Sequence, residues 1–92
     1  MAVETYKILE EYVFDVEGLG YPVKGRVSYI EGMPESLGGF FWEISHCYKP
    51  TADALGVYRP SRRNGQTLEE ARDLLFAYAQ NFQTFEVSVE RY

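Results

Sequence analysis

The chain is poor in the residues that build covalent and metal-held structure. It has one cysteine, Cys47, and one histidine, His46, in 92 residues. A single thiol excludes an intramolecular disulfide. One histidine and one cysteine also fall short of the four nitrogen or sulfur ligands of a structural zinc site. The carboxylates show neither Asp-x-Asp nor Glu-x-x-His spacing, so no metal or other cofactor is expected. Long apolar runs are missing too. None approaches the ~18–20 residues of a membrane span, and Met-Ala-Val-Glu-Thr-Tyr-Lys at the N-terminus has no apolar segment of the signal-peptide kind. The expectation is a soluble cytoplasmic protein without membrane contact. Positive charge is scarce as well, and a net charge of −5 makes nucleic acid an unfavourable partner.

What the chain does have is rings. Aromatic residues make up 16% of it, hydrophobic residues 46% and charged residues 25%, which is the composition of an ordinary globular domain. Its length suits one domain over residues 1–92 with a single core. The most aromatic stretch, Leu37 to Tyr48, also holds the only Trp. With period 2, Phe40, Trp42, Ile44, His46 and Tyr48 share one face, and Phe41, Glu43, Ser45 and Cys47 share the other. That pattern predicts a central strand.

Two strands are expected before it. From Tyr6 to Val16, the residues Ile8, Tyr12, Phe14 and Val16 alternate with a second set containing Leu9 and Val13. Glu10 intrudes on the first set. A turn over Glu17–Pro22 leads to an alternating segment from Val23 to Glu31, in which Gly25 marks a bulge or the close approach of a bulky neighbour. Three consecutive strands with short connections form an antiparallel meander. Residues 49–66 are irregular, with a possible edge strand at Leu55–Tyr58 and an Asn64-Gly65 turn signal.

Thr67-Leu-Glu-Glu70 is a capping box. It opens a helix whose residues Leu68, Ala71, Leu74, Leu75, Tyr78 and Phe82 recur on one face. Phe76 falls off that stripe and is expected at the surface. Phe85, Val87 and Val89 alternate with polar residues and predict a last strand. The fold class is α+β: two layers, an antiparallel sheet of four to five strands in the order β-β-β-(β)-α-β, and one helix packed on one face. Trp42, Leu75, Tyr78 and Phe82 should pack together between the layers.

Catalytic chemistry is thin. Ser45, His46 and Cys47 are adjacent, but neighbouring strand residues point to opposite faces, so His46 is not expected to reach either one. Glu10, in the middle of an apolar face, is expected to reach water through a bulge or frayed strand; burial instead would raise its pKa.

Two binding surfaces remain. One helix of about 15 residues cannot cover a four-stranded sheet on both faces. The face opposite the helix is expected to present Leu9, Val13, Ile30, Phe41 and Cys47 to a second copy of the chain or to another protein. Residues 49–66 carry a net +3 on a body of net −8. In that loop Lys49, Tyr58, Arg59, Arg62 and Arg63 are candidates for a small anion near the amides of the helix N-terminus. A non-catalytic interaction module, dimeric or partner-binding, is the first reading; an anion- or nucleotide-binding domain is the second.

Overall fold

The computed structural model describes residues 5–32, 38–60 and 63–90. In chain order the elements are β1 (Tyr6–Phe14), β2 (Val23–Ile30), β3 (Phe40–Ile44), β4 (His46–Tyr48), β5 (Asn64–Gly65), α1 (Leu68–Gln80) and β6 (Val87–Val89). The main sheet has the order β1-β2-β3-β5, and each neighbouring pair is antiparallel. β4 and β6 form a separate two-stranded antiparallel sheet. The architecture is a small α+β fold.

The expected central strand is cut in two at Ser45. Its backbone N–H donates to Lys24 O at 2.8 Å and its carbonyl accepts from Glu90 N, also at 2.8 Å. Its hydroxyl accepts from the Lys24 N–H at 2.8 Å. A serine side chain that supplies a backbone's hydrogen bond competes with the ladder and lets the chain change sheets. The side-chain alternation is reset across this point. Trp42, Ile44, Cys47 and Tyr48 are all buried, although a continuous strand would put Cys47 on the far side from the other three.

A second irregularity lies in β1. Ile8 pairs with Ser28 and Glu10 pairs with Val27, so Leu9 is an extra residue in a bulge. The bulge reverses the faces on either side of it. Glu10, Tyr12 and Phe14 align with Val27, Gly25 and Val23 on the helix side, while Tyr6 and Ile8 join Glu11 and Val13 on the other. Ile8 thus takes the outward place assigned above to Leu9.

The helix begins as its sequence dictates. Thr67 is extended, and its Oγ1 accepts from the Glu70 N–H at 3.0 Å. Asn81 closes it, with its side chain donating to Ala77 O at 2.7 Å. Ala71, Leu75 and Tyr78 are buried with Val23, Val27, Trp42 and Ile44, and Phe82 packs against that cluster. The layers touch most closely at Gly25, where an added Cβ would lie 2.8 Å from Leu75 Cδ1 and 2.9 Å from Phe14 Cε2. Only glycine leaves room there. Gly38 enters β3 at φ +75°, in the left-handed region, with a would-be Cβ 2.9 Å from Gly65 O.

Phe76 is partly buried rather than exposed. Its ring meets Tyr12 at 4.8 Å and Phe14 at 5.8 Å, both edge-on, so the aromatic face of β1 reaches past the predicted apolar stripe of the helix. Leu55–Tyr58 is not a strand either. Leu55 is fully exposed, and Tyr58 alone makes a bridge, to Tyr48. The fourth strand of the main sheet is instead Asn64–Gly65, read above as a turn. The last strand is confined to Val87–Val89 and pairs with β4; Phe85 and Val89 are exposed.

Glu10 holds β1 to the helix. It accepts two hydrogen bonds from Arg72, at 2.8 and 2.7 Å, and one from the Tyr12 hydroxyl at 2.8 Å. The Arg72 guanidinium, with help from Tyr12, lowers the Glu10 pKa below its ordinary 4.5. The expected solvent-facing acid is a paired one, and its pKa moves down. A carboxylate with a depressed folded pKa contributes stability that is present above the unfolded value and is lost as pH falls through the folded one. Glu10→Gln should therefore be less stable than the parent at neutral pH, and the two stabilities should converge below the ordinary carboxylate range. Urea midpoints measured as a function of pH check this. The difference will be modest, because both partners are partly solvated.

Candidate functional site

The sheet face away from α1 is built by the outward-pointing residues of three strands. Pairing aligns Ile8 with Ser28 and Phe41, Tyr6 with Ile30, and Glu11 with Arg26 and Glu43. One half of the face is consequently apolar and the other charged. A depression of about 280 Å³ lies where the two halves meet, lined by Tyr6, Ile8, Ser28 and Phe41 on one side and by Arg26 and Glu43 on the other. Ser28 is its buried floor. Tyr6 leans edge-on against Phe41 with centroids 5.4 Å apart, and Tyr6 and Ile8 remain 50% and 48% exposed. Arg26 and Glu43 form a two-pronged ion pair at 3.1 and 3.2 Å.

Of the five residues expected on this face, Ile30 and Phe41 lie on it, both half-buried. Val13 also lies on it, beside Lys24 at the charged end, and is 68% exposed. Leu9 sits at the bulge. Cys47 is absent from the face: it is fully buried in the core, and burial raises its thiol pKa. Both displacements follow from the two irregularities above. Tyr6 and Ile8 were missed for the same reason, since a bulge keeps the alternation on each side of it and only shifts its phase.

The basic loop does not converge as one cluster. Arg59 is committed to the C-terminal segment, donating to both Glu90 carboxylate oxygens and to Ser88 Oγ. Its guanidinium holds the Glu90 carboxyl below the usual range. The Lys49 backbone N–H donates to Glu86 O at 2.8 Å. Arg63 lies over the Trp42 ring, 5.6 Å from its centroid. Arg62 lies outside the described residues. Tyr58 is exposed and forms one wall of a groove of about 310 Å³ with Trp42, Tyr48, Pro60, Leu74 and Tyr78.

Ser45 and His46 do meet. Ser45 Oγ and His46 Nδ1 are 2.7 Å apart, because the chain has left strand geometry between them. The hydroxyl also serves the Lys24 backbone, and the His46 ring packs on Tyr21 at 4.9 Å. This pair anchors the crossover between the two sheets. Among the described residues no group of three or more His, Cys, Asp or Glu is placed to hold a metal ion, and no helix is long and apolar enough to cross a membrane.

Comparison with known proteins returns no match. No family model, no curated protein and no solved structure is significantly similar to this chain.

Proposed function

We propose that this protein is a non-catalytic interaction module that pairs with a second copy of itself through the sheet face opposite α1. The observation that carries the reading is the apolar half of that face, where Tyr6 and Ile8 stay half exposed around Phe41 and the Ser28 floor. Charge favours a copy of the same chain as the occupant. Glu11, Lys24, Arg26 and Glu43 balance one another, so the face is neutral on a chain of net −5. Two such chains repel less through this face than through the acidic remainder. A two-fold axis also suits a surface with one apolar and one mixed-charge half, since an isologous contact must be self-complementary.

Three strands at about 4.8 Å spacing and some six residues of length give a patch of roughly 14 by 20 Å. At about 280 Å² a side, that lies below the size of stable specific interfaces, so a weak and transient contact is expected. A reduced, buried Cys47 is compatible with a cytoplasmic location, which we propose as well. The anion-binding reading is the weaker one, because Arg59 is already neutralised by Glu90.

The test is a dilution series followed by amide chemical shifts, from millimolar to micromolar protein. Tyr6, Ile8, Ser28 and Phe41 should move together on one binding curve while the α1 amides stay still. Shifts confined to any other surface, or none, would remove the proposal.

A further inference from the structure

The groove between α1 and the loop ending at Pro60 has a feature that packing alone does not call for. Trp42 lines it, is 1% exposed, and its indole N–H has no hydrogen-bond partner among the described residues. A buried donor without an acceptor is costly, and most such donors find a partner. The walls beside it are set by hydrogen bonds. Tyr58 N–H donates to Tyr48 O at 2.8 Å, the Tyr78 hydroxyl donates to Tyr58 O at 2.6 Å, and Tyr48 N–H donates to that hydroxyl at 3.2 Å. The Tyr58 and Tyr78 rings are 6.0 Å apart and inclined by 29°. The groove is aromatic-walled, with a pinned Tyr58 backbone and a volume at the lower end for small-molecule sites. Arg63 stands on the Trp42 ring and makes no ion pair among the described residues.

We propose that this groove binds a small planar aromatic carboxylate. The ring of the ligand stacks on the Tyr58 wall, and a carboxylate oxygen accepts the Trp42 N–H under the positive charge of Arg63. The indole N–H is closed to solvent, so the exposed Tyr58 side chain must turn to admit the acceptor while its backbone stays pinned.

The probes are benzoate, its neutral counterpart benzamide, and inorganic phosphate, added to the full chain. Trp42 is the only Trp, so one indole N–H resonance reads the site. Benzoate should move that resonance downfield and half-saturate the site at about 1 mM, the affinity of a very small ligand at modest efficiency. Benzamide should bind about 5-fold more weakly, and Arg63→Gln should bring benzoate down to the benzamide level while leaving benzamide unchanged. Tyr58→Ala, at an exposed position, should weaken both. An indole resonance unmoved by saturating benzoate overturns the proposal, as does equal movement by phosphate, which would mark a general anion effect on the loop.

Discussion

Replacing Trp42 with alanine is expected to cost about 3–5 kcal/mol, the range for a large ring removed from a packed core. Against a total of about 5–15 kcal/mol for a domain, the variant would be marginal. The physical case is the burial of the ring among Val27, Ile44, Leu75 and Tyr78, with the Tyr78 centroid 5.7 Å away. Trp42→Phe should behave differently. It keeps a ring against Tyr78 and removes the unpartnered indole N–H, whose burial costs roughly 1–3 kcal/mol. The lost volume and the lost penalty oppose each other, so that variant should lie within about 1 kcal/mol of the parent. Denaturant unfolding of the two variants measures both. A small effect of Trp42→Ala would mean that the layers are not held through this ring.

Replacing Ile8 with glutamate should leave the fold intact and weaken self-association by at least about 100-fold, since an unpaired charge would be closed into an apolar contact. Ile8 is half exposed in the isolated chain, so the folding stability should change by less than about 0.5 kcal/mol. Val13→Glu, at the charged end of the same face and beside Lys24, should have much the smaller effect. Equal effects at Ile8 and Val13 would point to bulk charge rather than to a defined contact.

The elements that sequence alone locates are those with local causes. The Thr67 cap, the helical stripe through Leu75 and Tyr78, and the tight site at Gly25 each depend on residues within a turn or on the absence of a Cβ. The two strand irregularities have no such local signature. Leu9 is an ordinary strand residue, and its bulge shows only in the pairing with β2, farther along the chain, where Ile8 meets Ser28 and Glu10 meets Val27. Ser45 breaks the central strand through contacts with Lys24 and Glu90, both distant in sequence. Each irregularity shifts the alternation by one step. They account for the exchange of Leu9 for Ile8 and the loss of Cys47 from the outer face, and for the contact between Ser45 and His46. The basic loop failed as a cluster for a related reason: Arg59 meets its carboxylate only because β6 returns beside β4.

Sedimentation equilibrium of the unmodified chain and of Ile8→Glu, over the same range from micromolar to submillimolar, tests the interaction reading most directly. The unmodified chain should show a monomer–dimer equilibrium whose dimer fraction grows toward the submillimolar end, as a small, weak interface requires. The variant should stay a monomer throughout. An unmodified chain that stays monomeric at the highest concentration would contradict it, and so would a variant that dimerises equally well.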